Sequence, residues 1–398
     1  MAQSLARPAL ILGLLSSIGP FAIDMYLPAM PLIGADLGAS PQAMQSTITA
    51  YFAAFGLAQM IYGPWSDQAG RKLPLYAGIA LFVLGTVLCM TAASTNGLIA
   101  GRVVQGLGAA ALGVVPRAIV RDMLTGADAT RMMAAIMLVF SVSPMLAPLA
   151  GSALMLVTGW RGIFGALLVA SVLSLAMLAF AQGETLRPSN RRPFNLATLL
   201  RGCGELMRDR GFLLWTFIGA FGFGSFFIFL ASASYVYQQG FGLSSTGFSL
   251  AFAVNAMAFI GASQLASKAA LRFGVLPMLK WASVGFAASA GTTLVLALAG
   301  FGTLSVCIAG LALGNACLGL IIPSTMVLAL DEQGEKAGLA SSLGGTLQML
   351  TGGVMVVALG PWLGADAVPM IAGIAGAALV TMILTLMVAQ GQAARTAA

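Results

Sequence analysis

Two charged side chains, Asp24 and Arg102, lie inside long apolar stretches of the sequence. A charge at the centre of a bilayer costs about 2.5–3.5 kcal/mol even on lenient insertion scales, so such residues usually mark ion or proton pathways. A carboxyl group can gain and lose a proton, whereas a guanidinium stays protonated in proteins. Burial favours the neutral carboxyl group and a nearby guanidinium favours the carboxylate. We therefore expect Asp24 to carry a proton and Arg102 to tune its proton affinity.

A purely architectural ion pair, holding two helices together, is the alternative interpretation of these two residues. Apolar packing can replace such a pair without loss of stability, so architecture alone is a poor reason to bury both charges. A ligand that displaces Arg102 would change the proton affinity of Asp24, and coupling requires each ligand to alter the affinity for the other. Because Asp24 is the only acid predicted at mid-membrane, we expect one proton per cycle.

The composition indicates that lipid surrounds these residues. Of the 398 residues, 59% are apolar and only 8% are charged, and 49 glycines come in addition. Soluble domains carry about 25% charged residues, so a large water-soluble enzyme is excluded and no enzymatic activity is expected. The net charge of +7 does not indicate nucleic-acid binding, because the basic residues lie at the ends of apolar runs rather than on one solvated face. With no histidine and no C-x-x-C spacing among four cysteines, we expect no metal site, disulfide or cofactor; the proton is the expected coupling ion.

Apolar runs of about 20 residues predict membrane-spanning helices. The sequence contains twelve: 9–33, 43–65, 73–95, 97–121, 130–157, 161–182, 211–237, 245–267, 275–298, 302–328, 337–360 and 367–390. They are too long for barrel strands and lack the alternation of such strands. The run 9–33 follows Arg7 as a signal peptide would, but its length and Asp24 favour a retained first span. The expected fold is therefore all-α.

A basic segment divides the spans six and six. Residues 183–210 hold nine of the 31 charges, six of them arginine, and lie between the sixth and seventh spans. We therefore predict an N-terminal six-helix half (1–182), a cytoplasmic linker (183–210) and a C-terminal six-helix half (211–398). If the N-terminus is cytoplasmic, 17 of the 19 lysines and arginines lie on the cytoplasmic side. This bias predicts a multi-pass protein with both termini in the cytoplasm.

Three motifs resemble those of the major facilitator superfamily. Residues 63–75, GPWSDQAGRKLPL, are similar to its motif A, which usually has Leu at the position of Trp65 and Arg at that of Gln68. Residues 98–110 are similar to motif B, with Arg102, Gln105 and Gly106. Pro148 and Gly151, followed by Ser152, resemble a degenerate form of the antiporter motif C.

Further segments narrow the resemblance to the Bcr/CflA branch of twelve-span drug:proton antiporters. They include DMYLPAMP (24–31), WRGIF (160–164), the end of the sixth span near Glu184, and AGLASSLG (337–344). Residues 266–274, in the second half, are weakly similar to motif A. The resemblance covers the whole chain, more densely in its first half, and implies the major facilitator fold.

The resemblance also implies roles for the motif residues. The motif A residues are Gly63, Asp67, Gly70 and Arg71. Of these, Asp67 and Arg71 would form a charge cluster with Asp122 that latches the halves in the outward-facing state. The alternative is a plain cytoplasmic loop whose basic residues only satisfy the positive-inside rule. That alternative gives no reason for the acidic Asp67. Pro148 and Gly151 would form a hinge or seal against leak, with ordinary close helix packing as the alternative.

A substrate cavity is expected at mid-membrane between the halves. Aromatic, methionine and amide side chains predicted at that depth suit loosely specified amphipathic ligands. The candidates are Tyr26, Tyr51, Phe55, Met137, Phe140, Phe226, Tyr235, Asn255, Asn315 and Gln348. Each could instead face lipid or a neighbouring helix.

Together, the residues and the resemblance predict a monomeric drug:proton antiporter of the bacterial inner membrane. It would export small amphipathic antibiotics, with phenicol- and bicyclomycin-like drugs as candidates, by rocker-switch alternating access. A proton-coupled uptake symporter for a small polar metabolite is the alternative, but one Asp and one Arg are few polar groups for such a cavity. A membrane receptor would need an appended soluble domain, and the longest soluble stretch is the 28-residue linker.

Overall fold

The computed structural model describes residues 6–124, 126–191 and 193–397, except for the side chains of residues 6, 7, 9, 127, 130, 134, 135, 139–141, 335 and 391–397. Within these ranges the chain is helical and contains no β-strand. It divides into two compact units, Met1–Leu196 and Ala197–Ala398. The boundary between the units falls inside the predicted linker 183–210.

The first unit contains seven helices among its described residues. They are α1 (Ala6–Asp24), α2 (Met30–Asp36), α3 (Pro41–Ala69), α4 (Lys72–Met90), α5 (Thr95–Met123), α6 (Gly126–Thr158) and α7 (Arg161–Ala181). Helix α5 packs against α3 and α4, α1 packs against α6, and α4 packs against α7. A 3₁₀ turn, Leu27–Ala29, separates α1 from α2. The first predicted span is therefore two helices rather than one.

The remaining helices belong to the second unit, apart from the first residue of α8. They are α8 (Leu196–Leu206), α9 (Arg210–Tyr235), α10 (Ser245–Phe273), α11 (Val275–Leu296), α12 (Leu304–Asp331), α13 (Ala337–Leu359) and α14 (Ala367–Ala397). Helices α9 and α11 each continue into a π-helical turn, Val236–Gly240 and Ala297–Phe301. Helix α12 packs against α10 and α11, and α9 packs against α13 and α14.

Eleven helical segments of the described chain are long and apolar enough to cross a membrane. The α1–α2 segment is one of them, as Leu10–Asp36. Helix α3 is as long as its neighbours but carries more polar residues, including Gln42, Gln45 and Gln59. With α3 the described residues contain twelve long segments, in the order of the twelve predicted runs. The all-α membrane fold is thus confirmed.

Helix α8 was not among the predicted elements; it lies within residues 183–210, which were predicted as a basic linker. Its eleven residues follow the basic part of that segment, and only Met207, Arg208 and Asp209 separate it from α9. The helix is too short to span a membrane, which needs about 20 residues.

Candidate functional site

Asp24 is the last residue of α1 and lies at the break in the first span. Pro28 and Pro31 lack the N–H groups that would bond to the carbonyls four residues earlier, so the helix loses two hydrogen bonds here and is weakened. The Tyr26 N–H instead donates to the Ile23 carbonyl, at 3.1 Å. Sequence reasoning placed Asp24 within a continuous helix; the structure places it at a helix end that is inside the span and only 6% exposed. It is the only buried acidic residue among the described side chains.

The break also frees a backbone acceptor for Arg102. Because the Tyr26 N–H bonds to Ile23, the Ala22 carbonyl has no helical donor from that residue, and Arg102 Nη1 donates to it at 3.0 Å. The same nitrogen donates to Gln105 Oε1 at 2.7 Å, and Gln105 Nε2 donates to Thr86 Oγ1 at 2.9 Å. These bonds connect α5, which carries Arg102 and Gln105, to α1 at Ala22 and to α4 at Thr86.

Two tyrosine rings enclose the guanidinium of Arg102. The centroids of Tyr26 and Tyr51 lie 4.4 and 4.8 Å from its central carbon. The Tyr26 hydroxyl is hydrogen-bonded to Thr47 at 2.7 Å, and the Tyr51 hydroxyl donates to the Gly19 carbonyl at 3.2 Å. All of these side chains are buried, and cation–π attraction is strongest where water is excluded. The rings therefore compensate part of the cost of burying the charge.

The ion pair between Asp24 and Arg102 is not formed in this conformation. No nitrogen of Arg102 lies within 4.0 Å of the Asp24 carboxylate. Nε and Nη2 of Arg102 are buried and make no hydrogen bond to the described residues. The alternative interpretation, in which Asp24 and Arg102 only hold two helices together, required a direct ion pair between them. In this conformation the hydrogen bond from Arg102 to the Ala22 carbonyl links it to the backbone two residues before Asp24.

Gly106, of motif B, allows α3 and α5 to approach closely beside Arg102. A Cβ atom at Gly106 would lie 2.3 Å from the Tyr51 carbonyl oxygen. The close approach brings the backbone of Tyr51, whose ring covers the guanidinium, against α5. Gln105 thus contacts Arg102 by a hydrogen bond, and Gly106 packs on the backbone of the residue whose ring covers Arg102.

Gly151, of motif C, packs against the break itself. A Cβ atom at this position would lie 2.3 Å from the Met25 carbonyl oxygen. Helix α6 runs without interruption through Pro148. Close packing, the alternative given to motif C above, is present in this conformation, and its partner is the residue next to Asp24.

The motif A residues lie together around the guanidinium of Arg71. Its Nε and Nη2 donate to the two carboxylate oxygens of Asp122 at 2.7 and 3.0 Å, and Nη1 donates to Asp67 at 2.5 Å and to Ser66 at 2.8 Å. Burial alone lowers the pKa of Arg71, but the hydrogen bonds to Asp122 and Asp67 outweigh burial and raise it. The guanidinium at the centre of the cluster is therefore charged at neutral pH.

The two motif A glycines have different surroundings. Gly70 ends α3 with a φ of +93°, a conformation that favours glycine. A Cβ atom there would also lie 2.6 Å from the Glu184 carboxylate. A Cβ atom at Gly63 would have no neighbour within 4 Å, so no close contact with the described residues explains a glycine at that position.

Glu184 completes the motif A cluster, although sequence reasoning assigned no role to it. Its carboxylate accepts the backbone N–H groups of Arg71 (2.9 Å) and Lys72 (3.1 Å), at the start of α4. It also accepts those of Thr185 and Leu186, and Thr185 Oγ1 donates to Asp122 at 3.1 Å. Although burial works to raise its pKa, these N–H groups hold the pKa of Glu184 below its ordinary value. The sequence feature that could have pointed to this role is the position of Glu184, an acid just after the sixth span.

The substrate-site candidates of the first unit differ in their surroundings. Tyr26 and Tyr51 are buried against Arg102, as described above. Phe55 is half-buried and stacks on Tyr51 with ring centroids 6.5 Å apart. Met137 is half-buried on α6, and the side chain of Phe140 lies outside the described residues.

The second unit brings two of its candidates into direct contact. Asn315 Nδ2 donates to Asn255 Oδ1 at 3.1 Å, and Asn255 Nδ2 donates to the Ala251 carbonyl at 3.1 Å. Asn315 also borders a small cavity with Phe229 and Phe286. Both amides are buried, and each obtains its partner from protein rather than lipid.

The other candidates of the second unit are separate from this pair. Phe226 and Gln348 are half-buried, and Tyr235 is buried near the end of α9. Sequence reasoning did not include Tyr237, which lies in the π-helical turn after α9. Its ring is buried against Phe229 and Phe248 at centroid distances of 6.2 and 6.1 Å.

Known proteins resemble this chain in sequence, and a solved structure resembles it in fold. A bicyclomycin resistance protein homolog of Haemophilus influenzae is 30% identical over 87% of each chain, and multidrug resistance protein D of Escherichia coli is 29% identical over 87% of this chain and 86% of its own. The crystal structure of a D-xylose-proton symporter matches 96% of this chain and 97% of its own with a TM-score of 0.78, at 14% identity.

A family profile covers both units. The profile of the Major Facilitator Superfamily matches residues 12–356, which include every motif described above and extend into α13. With the all-α fold and the likeness to a solved transporter, this match shows that the chain is a multi-pass membrane protein and belongs to the Major Facilitator Superfamily.

Proposed function

We propose that this protein is a drug:proton antiporter of the bacterial inner membrane that exports small amphipathic antibiotics. The names of its relatives, which refer to multidrug and bicyclomycin resistance, support this substrate class. Proton coupling is proposed because Asp24 is the only buried acid among the described side chains and lies at a helix break. Phenicol- and bicyclomycin-like drugs are the substrates to test first.

In this proposal Asp24 is the proton carrier and Arg102 is the residue that tunes it. Arg102 holds the Ala22 carbonyl, two residues before Asp24, and keeps two donor nitrogens without a hydrogen bond to the described residues. A drug that draws on those donors, or moves the tyrosine rings, would shift Arg102 and change the proton affinity of Asp24. Such a reciprocal effect is the thermodynamic content of coupling.

The driving force suffices for export with one proton per cycle. One charge crossing 100 mV is worth about 2.3 kcal/mol. A difference of one pH unit adds about 1.4 kcal/mol. Together they sustain a gradient of a few hundred-fold for a neutral drug.

The remaining parts of the proposal concern topology and the cycle. The lysine and arginine bias supports a cytoplasmic position for both termini and for the segment 183–210. The Asp67–Arg71–Asp122 cluster serves as the latch of the outward-facing state, and Pro148 with Gly151 as the seal on α6. The protein works as a monomer by rocker-switch alternating access, with a drug and a proton as its only ligands.

The test compares the native chain with Asp24→Asn in a host that lacks its own efflux pumps. We expect the native chain to protect against part of a drug panel that includes chloramphenicol and bicyclomycin, and Asp24→Asn to lose that protection. Proteoliposomes with an imposed pH gradient then separate coupling from binding, since Asp24→Asn should still bind drug but not accumulate it.

Asp128→Asn is the matched control, because Asp128 is an exposed acid in the first turn of α6. It should protect as well as the native chain. If the native chain protects against nothing and moves no drug in proteoliposomes, drug export is wrong. If Asp24→Asn accumulates drug as the native chain does, export stands and Asp24 is not the proton carrier.

A further inference from the structure

Helix α8 presents three distinct sides. Leu206 is buried and Gly202 contacts α13, since a Cβ atom at Gly202 would lie 2.5 Å from Leu339 Cδ2. Leu196 and Leu200, four residues apart, are 57% and 61% exposed. Arg201 and Glu205 occupy a third, exposed side. The described residues leave the apolar side of this amphipathic helix largely uncovered, and such a side is normally buried against another apolar surface.

Two connections hold α8 at the level where membrane helices begin. Three residues, Met207 to Asp209, join it to the start of α9, a distance of at most about 14 Å for an extended chain. Glu205 forms an ion pair with Lys336, which directly precedes α13. Because α9 and α13 are both candidate spans, α8 cannot lie far from the membrane surface.

The charges near α8 favour an anionic surface. Arg201, Arg208 and Arg210 are exposed and make no ion pair within 4.0 Å with a described acid. The acids of the same stretch already have partners: Glu205 pairs with Lys336, and Asp209 accepts the Phe212 N–H and the Gln333 amide. The surplus is therefore positive, beside exposed leucines, and this combination is typical of helices that lie in the interface of anionic membranes.

We propose that α8 is an interfacial anchor that inserts Leu196 and Leu200 into the acyl boundary and binds anionic lipid headgroups through Arg201 and Arg208. Met207, 44% exposed, extends the apolar side. The anchor fixes the chain between α7 and α9 to one leaflet. This inference depends on membrane insertion of the chain and not on which substrate it carries.

The experiment places a fluorophore that senses polarity at either side of α8. Leu200→Cys and Thr198→Cys are made in full-length protein with Cys203→Ser and Cys317→Ser; Cys89 and Cys307 stay, because both are buried. Thr198 is exposed and lies about 160° around the helix from Leu200. Each labelled protein is placed in vesicles of phosphatidylcholine alone, or of phosphatidylcholine and phosphatidylglycerol in equal parts.

With phosphatidylglycerol present, we expect blue-shifted emission at position 200 and iodide quenching several-fold weaker than at 198. Equal quenching at the two positions would overturn the proposal. Arg201→Gln with Arg208→Gln should reduce the blue shift at 200 in the anionic vesicles, whereas Lys280→Gln, an exposed charge on α11, should not. A shift that is the same in both lipids, or unaffected by the arginine variants, would refute the anionic headgroup as partner.

Discussion

Helices α3 and α10 occupy corresponding places in the two units and differ where they cross their neighbours. Both contain 29 residues and follow a serine whose side chain accepts a backbone N–H. At the crossing with α5, α3 carries Tyr51, packed on Gly106 and Arg102. At the crossing with α12, α10 carries Asn255, hydrogen-bonded to Asn315. The same framework thus holds a buried charge in one unit and neutral amides in the other.

The turns after these helices repeat the contrast. Gly70 and Gly274 both follow the helix with positive φ, +93° and +85°. Around Gly70 lie Arg71 and Glu184, but the nearest neighbour of a Cβ at Gly274 would be Pro277. A backbone turn therefore does not require the charge cluster, which indicates that the cluster has a task beyond forming the turn.

Loss of the buried charge should have the largest effect on transport. Arg102→Gln removes the guanidinium from the tyrosine cage, and we expect accumulation of drug driven by a pH gradient to fall by about tenfold or more. Asn315→Leu, at the corresponding crossing, should change accumulation only a few-fold. Proteoliposome uptake measures both, and an equal loss in the two variants would remove the functional distinction between the units.

Close helix approach, in contrast, should matter equally in both units. A Cβ at Gly106 would lie 2.3 Å from the Tyr51 carbonyl, and one at Gly319 would lie 2.3 Å from the Phe259 carbonyl. Gly106→Val and Gly319→Val should each destabilise the protein by about 3 kcal/mol, at the upper end of overpacking effects. Thermal unfolding in detergent tests this, with Gly63→Ala as the control that should unfold like the native protein. A large difference between the two valine variants would contradict the shared framework.

Within the charge cluster, the two acids should contribute unequally. Asp122 bonds to two nitrogens of Arg71 and its side chain is 15% exposed, whereas Asp67 bonds to one and is 49% exposed. Asp122→Asn should lower the free energy of unfolding by about 2 kcal/mol. Asp67→Asn should lower it by less than about 1 kcal/mol. Denaturant titration gives both values, and the reverse order would show that the geometry around Arg71 is not maintained in solution.

The smallest effect expected is the pH dependence of the Glu184 contact. Because the fold lowers the pKa of this carboxyl group, its contribution to stability is complete above the ordinary value of 4.5 and is lost as pH falls through the lowered value. Glu184→Gln should therefore melt below the native protein at pH 7 by a small margin that disappears on acidification. A margin that persists in acid would mean that packing, and not the carboxylate, holds the turn.

The sequence predicted the long elements well and the short ones poorly. Twelve apolar runs predicted the long helices, because an uninterrupted apolar run of about 20 residues is uncommon outside membrane spans. The resemblance to motif A implied a cluster of Asp67, Arg71 and Asp122, and these residues lie together. Helix α8 was missed, because an eleven-residue apolar stripe is weak beside such runs and its arginines are equally typical of a linker.

Outside the motif A cluster, contacts between residues distant in sequence could not be predicted from one chain. Glu184 meets Lys72 across 112 positions, and Asn315 meets Asn255 across 60. Likewise Pro28 and Pro31 predict a disturbance of the first span, but a kinked continuous helix was equally compatible with them. Only the structure shows which backbone carbonyl the disturbance releases.

That released carbonyl has a consequence for any rearrangement of the first span. If residues 25–29 wound into regular helix, the Tyr26 N–H would return to the Ala22 carbonyl and would share it, or compete for it, with Arg102 in the middle of the lipid layer. The Met25 carbonyl, against which Gly151 now presses, would turn as well. A change in this one helical turn would therefore affect both the hydrogen bonding of the Arg102 charge and the packing of α6. The two changes are expected to occur together.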